Sequence, residues 1–301
     1  MRLYSRWLAG NMVVYPGSSG GGNEFFVDLN FGDDTWDGLS FERPFKTLAV
    51  ALAASHADIA AGSKGWAARN KIYFKGDQAA DAEGENLVLL AQKTDIIGVG
   101  STSSFTQPTL LGNHVPISAT GIGVRFFNIR FVCPAAGGTM FTLDATQRGI
   151  GFYDCTFDAT NTAAATSAII ATAVWFLEIH NCEFVGQFSG AVISILAGNA
   201  QGLEIADNYI EGAATGIVLA TGVTSSPNHM VVERNVMRTG TECIIDTDEA
   251  LLQIVDNKMS TEQAKGASGV GAVIGNEFLS MGNKISASDL ANANWPALGT
   301  L

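Results

Sequence analysis

The stretch Val124-Arg125-Phe126-Phe127-Asn128-Ile129-Arg130-Phe131 decides the fold, because its pattern recurs along the chain. The pattern has apolar residues at positions one and eight, an apolar residue at position three in six of the seven copies, and Asn or Asp at position five in five of them. Further copies begin at Ile150, Leu177, Leu203, Met230, Leu252 and Phe278. The successive starting positions are separated by 26, 27, 26, 27, 22 and 26 residues. A period in this range predicts a solenoid, in which each repeat forms one turn that stacks on the next.

Strand periodicity within each repeat identifies the kind of solenoid. The apolar residues lie two apart, and many are β-branched or aromatic, as in strand interiors. A second apolar run follows, such as Met140-Phe141-Thr142-Leu143 or Ala191 to Leu196. Several short strands in each repeat leave no room for a regular helix, which argues against a leucine-rich repeat. The sequence therefore predicts an all-β fold, a parallel β-helix of about nine rungs.

Stacking aligns equivalent positions of successive repeats into columns. The column at position six contains Ile129, Cys155, Cys182, Asn208, Asn235, Asn257 and Asn283. Asparagines in register can form an amide ladder, in which each side chain donates to one neighbour and accepts from the other. The column at position eight is wholly apolar, with Phe131, Phe157, Phe184, Ile210, Met237, Met259 and Ile285.

Ahead of the regular repeats, Lys71 to Phe74 and Thr94 to Val99 predict two further rungs. The Ala-rich segment 53–61 predicts a short helix that caps the open end, where exposed strand edges would otherwise recruit other chains. The predicted domains are an N-terminal arm with a Gly/Ser linker (1–24), a capping segment (25–66), the β-helix (67–285) and a C-terminal cap or tail (286–301).

One segment resembles a known family. The stretch from Phe26 to Ser40 (FVDLNFGDDTWDGLS), followed by Pro44-Phe45-Lys46-Thr47-Leu48, resembles the opening of many right-handed parallel β-helix proteins of the pectate lyase-like superfamily. Glu85-Asn86-Leu87 and Asp95 to Ser101 are similar to the first rungs of that superfamily. The resemblance implies a right-handed coil. It leaves the function open, because the superfamily includes lyases, hydrolases, phage tailspikes and inert virion proteins.

The charge balance, the cysteines and the absence of targeting segments restrict the classes of binding partner and the compartment. Seventeen basic and 29 acidic residues give a net charge of −12, which argues against nucleic-acid binding through a basic face. The four cysteines follow no zinc spacing and no disulfide framework, and buried thiols suit assembly in a host cytoplasm. The sequence shows no membrane-spanning run, and its first residues do not resemble a secretory signal. These features favour a virion protein that leaves the cell by lysis.

Residues 1–24 are typical of an anchoring arm. Aromatic and basic side chains precede a Gly/Ser run at 17–22, which predicts a flexible linker. The anchoring candidates are Tyr4, Arg6, Trp7 and Tyr15. A frayed terminus without a partner is the alternative interpretation.

Candidate chemistry is concentrated where two repeats meet. Glu178 and Glu204 share position two of adjacent repeats, and strands about 4.8 Å apart would place their carboxylates at a spacing compatible with a retaining glycosidase. The alternative is a solvated face on which both side chains splay apart. Trp175 and Phe176 precede Glu178 and are candidates for a glycan-stacking surface, or for packing at a corner.

One acidic loop is a candidate calcium site. Its oxygen-bearing residues are Asp28, Asn30, Asp33, Asp34 and Asp37, at spacings that a calcium ion could use. Alternatively, these side chains turn the chain through hydrogen bonds to the backbone. No other cofactor is predicted.

Two functions remain open from the sequence. The first is a bacteriophage virion structural protein, either head-decorating or tailspike-like. It would be homotrimeric, bound to capsid or tail proteins through its arm, and in contact with host surface polysaccharide. The alternative is a polysaccharide-degrading hydrolase or lyase that uses Glu178 and Glu204 as acid and nucleophile. The Asn-Thr-Asp and Gly-His-Gly motifs of polygalacturonase-like enzymes are absent from the sequence, which favours the first function.

Overall fold

The structure, a computed structural model, describes much of the chain between residues 21 and 280. The described residues are 21–61, 68–76, 92–100, 107–111, 122–133, 137–144, 147–160, 165–196, 198–220, 223–225, 230–246, 252–261, 265–268, 272–274 and 277–280. Among these residues there is no helix with the length and apolar character needed to span a membrane. The predicted anchoring residues Tyr4, Arg6, Trp7 and Tyr15, and the predicted C-terminal tail, lie outside them.

The described part of the chain contains one α-helix among many short strands. The elements of its first half are β1 (Gly21–Asp28), α1 (Leu48–Ala60), β2 (Arg69–Lys75), β3 (Thr94–Gly98), β4 (Thr109–Leu111), β5 (Arg125–Phe127), β6 (Arg130–Val132), β7 (Thr139–Leu143), β8 (Gly151–Tyr153), β9 (Thr156–Ala159), β10 (Ser167–Thr172), β11 (Glu178–His180) and β12 (Glu183–Gly186). Those of its second half are β13 (Phe188–Leu196), β14 (Gly198–Ala200), β15 (Glu204–Ala206), β16 (Tyr209–Leu219), β17 (Val223–Ser225), β18 (Met230–Glu233), β19 (Val236–Asp246), β20 (Leu252–Val255), β21 (Lys258–Thr261), β22 (Lys265–Ser268), β23 (Ala272–Ile274) and β24 (Glu277–Ser280).

Ten parallel strands form the first sheet, in the order β1, β2, β3, β5, β8, β11, β15, β18, β20, β23. The central residues of these strands point inward and stack on one another: Phe25, Ile72, Ile96, Phe126, Phe152, Ile179, Ile205, Val232 and Ile254. Each is at most 5% exposed. The parallel β-solenoid is confirmed, and the number of stacked strands differs slightly from the nine rungs predicted.

The second sheet contains two rows of strands. One row stacks β4, β6, β9, β12, β16, β19, β21 and β24, and the other stacks β7, β10, β13, β16, β19 and β22. The second row contains the predicted second apolar runs. Its inward residues Phe141, Ile169, Ile193, Ile217 and Ile244 stack in register and are fully buried. A separate two-stranded sheet pairs β14 with β17.

Position five of the repeat forms the corner between the two sheets. Its residues all have left-handed backbone, namely Asn128, Asp154, Asn181, Asp207, Arg234 and Asp256, with φ between 52° and 60°. Asn and Asp enter this conformation more readily than other non-glycine residues, which explains why they recur there. Arg234 is the exception to the pattern, and its guanidinium donates two 2.8 Å hydrogen bonds to the Asp207 carboxylate one turn away.

The predicted amide ladder is confirmed for Asn208, Asn235 and Asn257. The Nδ2 group of Asn208 donates to Oδ1 of Asn235, and Nδ2 of Asn235 donates to Oδ1 of Asn257, both at 2.9 Å. Each Oδ1 also accepts a backbone N–H from the preceding turn, as Asn208 Oδ1 does from Cys182 at 2.8 Å. All three asparagines are at most 1% exposed. The ladder therefore satisfies buried backbone groups at the corner, besides linking the side chains.

The last predicted repeat is wrong in register. Phe278 pairs with Met259 and so occupies position eight, whereas the sequence pattern assigns it to position one. Ala272 pairs with Gln253, 19 residues earlier in the chain, whereas the predicted repeat starts 26 residues after Leu252. The error arises because the turn that begins at Leu252 is shorter than the others, although the predicted register places Ser280 at the apolar position three. Asn283 and Ile285, predicted for the two columns, lie outside the described residues.

Helix α1 closes the N-terminal end of the core. It begins at Leu48, five residues before the predicted segment 53–61, after Thr47, whose Oγ1 accepts the N–H of Val50. Its buried face presents Leu48, Ala51 and Leu52 to the first turns of the solenoid. The helix therefore covers apolar side chains that would otherwise face water at the end of the stack.

The loop before α1 covers the outer edge of β1. The N–H of Phe26 donates to the carbonyl of Gly38, and the carbonyl of Phe26 accepts from the N–H of Phe45. The N–H of Asp28 donates to the carbonyl of Phe45 in turn. Because these bonds engage the backbone groups of the first strand, the loop occupies the edge at which another chain could otherwise pair.

Two buried aspartates, Asp28 and Asp158, stabilise turns in the same way. Each lies at the end of its strand or beside it, accepts hydrogen bonds from the residues that follow, and pairs with a cation: Lys75 for Asp28 and Arg130 for Asp158. Burial raises the pKa of both carboxyls, but these donors outweigh it and hold the pKa of each below the ordinary value of 3.8.

The lowered pKa values predict a loss of stability in acid. A carboxyl with a lowered folded-state pKa stabilises the fold above its unfolded pKa, and this contribution is lost as the pH falls below about 4. We expect Asp158→Asn to lower the free energy of unfolding by about 1–3 kcal/mol at pH 7. The free energy of unfolding of this variant should also decrease less than that of the parent between pH 5 and 3. Denaturant titrations at each pH measure this. The control is Asp207→Asn in the exposed pair with Arg234, where about 1 kcal/mol or less is expected; equal losses in both variants would contradict the prediction.

Candidate functional site

The outward face of the first sheet brings chemically active side chains together. Position two supplies Arg125, Glu178 and Glu204, and position four supplies Phe127, Tyr153 and His180, all in register along the stack. We call these six residues the outer strip. They converge because strands β5, β8, β11 and β15 are successive neighbours and because alternate residues of a strand face the same side.

One end of the outer strip is an ion-pair cluster. The guanidinium of Arg125 donates two hydrogen bonds to Asp95, at 2.8 and 2.7 Å, and Arg69 donates to Asp95 Oδ1 at 2.8 Å. The Asp95 side chain is only 4% exposed. Both cations are therefore engaged by a buried carboxylate, which suits a structural role.

The predicted acidic pair lies beside this cluster. Glu178 and Glu204 are paired neighbours in β11 and β15, as the sequence predicts. Each faces a different side chain: the Tyr153 hydroxyl donates to Glu178, and Nε2 of His180 lies 3.6 Å from Oε1 of Glu204. The two carboxylates are thus held by aromatic neighbours on the strip and do not form a solvated row of unpaired charges.

Tyr153 and His180 form part of an aromatic stack. The centroids of Phe127 and Tyr153 are 4.8 Å apart, and those of Tyr153 and His180 are 5.6 Å apart, with nearly parallel rings. A side chain at Gly151 would contact the Tyr153 ring, since an added Cβ would lie 2.5 Å from it. The missing side chain at 151 therefore leaves room for Tyr153 to reach Glu178.

The two aromatic residues before Glu178 have different surroundings. The guanidinium of Arg148 lies 4.0 Å over the Trp175 ring, so Trp175 packs at the corner through a cation–π contact. Phe176 is 49% exposed and has a φ of 58°. A left-handed backbone costs a bulky residue roughly 1–2 kcal/mol. Phe176 is thus the more available of the two rings predicted to bind glycans.

The carboxylates of the predicted calcium loop bind the chain itself. Asp33 accepts from the N–H and hydroxyl of Thr35, and Asp34 accepts from the backbone of Lys46 and Thr47. Asp37 accepts from the N–H of Leu39. Within the described residues, no three His, Cys, Asp or Glu side chains are arranged to hold a metal ion. Calcium binding by Asp28, Asn30, Asp33, Asp34 and Asp37 stays a prediction, which a rise of Tm on adding Ca²⁺ would support.

The cysteines are all free and buried. Burial raises the pKa of Cys182 well above its ordinary value, with Cys155 of the adjacent turn as a second cause, and burial raises the pKa of Cys243 to about 11. These thiols are protonated at neutral pH, which makes them poor nucleophiles. They fill the core, as predicted for Cys155 and Cys182.

Sequence reasoning missed four residues of this region: Arg69, Asp95, Tyr153 and His180. The repeat itself carried the signal for Tyr153 and His180, because both occupy position four, which faces outward like position two. Arg69 and Asp95 belong to earlier, less regular turns, where the register could not be read from the sequence. Their contact with Arg125 depends on the pairing of β2, β3 and β5.

The parallel strand order defines the chain as a parallel β-helix protein. In comparisons with known proteins, no family model matches the chain, and no curated protein does. Among solved structures, a variant of the tailspike protein of E. coli bacteriophage HK620, in complex with a pentasaccharide, is similar over 84% of this chain and 57% of that chain, with a TM-score of 0.44 and 13% identity. The chain thus spans little more than half the length of that protein. The fold assignment rests on the strand registers described above.

Proposed function

We propose that this chain is a trimeric structural β-helix of a bacteriophage particle, either head-decorating or tailspike-like. In this proposal the N-terminal arm binds capsid or tail proteins, and the outer strip contacts host surface glycans. A single observation carries the proposal: two outward faces of the solenoid differ in chemistry. One bears carboxylates and aromatic rings, and the other bears no charge over the first four strands of its row.

The uncharged face is formed by four of the six strands in the second row of the second sheet, because β19 and β22 contain Glu242, Asp246 and Lys265. Strands β7, β10, β13 and residues 213–219 of β16 contain no charged residue. Their stacked outward residues are Thr142, Ile170, Ser194 and Val218. Because each copy has a net charge of −12, the close approach of two copies is least opposed where the facing surfaces are uncharged. A second copy of this chain is therefore the partner that the face suits best.

The assembly is tested by the oligomeric state of the full chain and by imaging of purified particles. Light scattering should give three copies in the parent protein and one in Val218→Asp, whose added charge would lie in the interface. Asn30→Asp adds the same charge on the exposed cap and should remain trimeric. A monomeric parent protein, or particles without the chain, would remove the proposal.

The adjacent register of Glu178 and Glu204 supports a second candidate, a glycoside hydrolase or polysaccharide lyase. The carboxylates lie on neighbouring strands, and each has a partner able to move a proton, Tyr153 or His180. If the chain cleaves a polysaccharide, the double variant Glu178→Gln, Glu204→Gln should lose at least about 100-fold in rate, since each acid–base group contributes this much. Reducing-end and unsaturated-product assays measure the loss. A parent protein that cleaves nothing would exclude this candidate.

A further inference from the structure

The ring of Phe176 stands at a position that the fold otherwise gives mainly to glycine. The residues that enter successive strands of the first sheet all have left-handed backbone: Lys93, Gly123, Gly149, Phe176 and Gly202, with φ between 47° and 73°. Backbone hydrogen bonds link this region from turn to turn, and the N–H of Phe176 donates to the carbonyl of Gln201 at 2.6 Å. A phenylalanine in this conformation is a genuine outlier, and such outliers cluster at functional sites.

Burial does not explain the strained residue. Phe176 is 49% exposed, so about half of the residue's surface remains in water. The ring lies against Gly202, where an added Cβ would come within 2.5 Å of Cδ1 and 3.0 Å of Cε1. The absence of a side chain at 202 forms the seat on which the ring rests. The left-handed backbone at Phe176 and the space at Gly202 thus place an exposed aromatic ring against the neighbouring turn.

This seat lies beside the acidic pair. Glu178 follows Phe176 by two residues, and Glu204 follows Gly202 by two. Because Glu178 and Glu204 are register partners on β11 and β15, the backbones that carry the ring, its seat and the carboxylates adjoin. The patch therefore presents one apolar surface and two hydrogen-bond acceptors. A pyranose has the complementary chemistry, because its ring carbons form an apolar face and its hydroxyls donate to carboxylates.

The charge of the patch selects among sugars. Two carboxylates follow the ring and its seat by two residues, whereas Arg69 and Arg125 are engaged by Asp95 and Arg148 lies over Trp175. A uronic or sialic acid would place its carboxylate next to Glu178 and Glu204, in a protein whose net charge is already −12. Like charges at this distance disfavour binding.

We infer that Phe176, seated on Gly202 beside Glu178 and Glu204, is the stacking platform for an uncharged pyranose of a host glycan. This inference rests on the proposed glycan contact and names its ligand class and its principal residue. It assigns Trp175 to the support of the corner.

The test measures binding of neutral and uronate-containing oligosaccharides to the full chain by calorimetry, with tryptophan fluorescence as a second readout. Neutral oligosaccharides should bind the parent protein at least tenfold more tightly than uronate-containing ones of the same length. Phe176→Gly should weaken neutral binding at least tenfold without lowering Tm, because glycine suits this backbone. Phe31→Gly, which removes another exposed ring far along the chain, should bind like the parent.

Three results would overturn the inference. One is unchanged binding by Phe176→Gly, another is preference for uronates, and the third is the absence of binding by any neutral oligosaccharide of the panel. A trimer present on particles in the third case leaves the structural virion role intact and removes only the platform. If Glu178→Gln with Glu204→Gln abolishes binding while Phe176→Gly does not, the glycan contact stands and the platform assignment is wrong.

Discussion

Replacing Phe152 with alanine is expected to lower the free energy of unfolding by about 3–5 kcal/mol. Phe152 is fully buried at the centre of a cluster of rings. Its centroid lies 4.8 Å from that of Phe141, 5.2 Å from Phe126 and 5.5 Å from Phe157. Removing the ring leaves a cavity lined by side chains of this turn and of its neighbours, whose positions are fixed by the strand register, so we expect the surroundings to collapse only in part.

Denaturant titration, followed by circular dichroism, measures the loss for Phe152→Ala. Phe152→Leu fills most of the space and should lose clearly less. The matched control is Phe31→Ala, because Phe31 is 75% exposed and its loss removes little buried area. Equal destabilisation by Phe152→Ala and Phe31→Ala would contradict the assignment of Phe152 to the centre of the core.

Replacing Asn235 with alanine is expected to lower the free energy of unfolding as much as Phe152→Ala does, but through lost hydrogen bonds. Asn235 Oδ1 accepts from both the backbone N–H and Nδ2 of Asn208, and its own Nδ2 donates to Asn257 and to the carbonyl of Ile205. Alanine leaves these buried groups without partners at about 1–3 kcal/mol each, so we expect a total loss of about 3–5 kcal/mol. Thermal and denaturant unfolding measure it, with the exposed Asn30→Ala as the control.

Asn235→Asp separates hydrogen bonding from packing, because it keeps the volume of the side chain. The new carboxylate would face two acceptors, the Ile205 carbonyl and Asn257 Oδ1, in a buried site. Burial beside these acceptors raises the folded-state pKa of the introduced carboxyl above its unfolded value. Its destabilisation should therefore grow as the pH rises above about 4, opposite to the acid-sensitive parent chain. A variant as stable as the parent at pH 7 would show that the ladder contributes little.

The amide ladder and the inner columns were predictable because they depend on local, repeated information. Each Asn of the ladder follows the left-handed corner residue by one position, so the sequence period alone aligns Asn208, Asn235 and Asn257. The same holds for the neighbouring positions of Glu178 and Glu204. The period failed at Phe278, where a shortened turn shifted the register by seven residues. The apolar alternation fits the observed register better, because position three is Val273 there and Ser280 in the predicted register, but the regular period of the earlier repeats pointed to the predicted one.

The partners of the candidate site were less predictable. The sequence places Glu178 and Trp175 in one repeat, but it does not show that Tyr153 reaches Glu178 or that Arg148 covers Trp175. These contacts join residues about one turn apart. They therefore depend on the direction in which the long side chains of one turn extend across the outer face of the sheet. Whether Gly151 and Gly202 leave space for the neighbouring rings also depends on that arrangement.

By itself, the sequence determined the parallel β-helix, its columns of buried side chains and the outward positions of the acidic pair. It could do so because strand alternation and corner conformation are local preferences that recur in every turn. Only the tertiary structure decided the register of the last turn, the cover over the first strand, the partners of the outer strip and the exposure of Phe176. Those features depend on contacts between neighbouring turns and loops. The contacts form by packing and hydrogen bonding between residues that are far apart along the chain, so no pattern within one repeat specifies them.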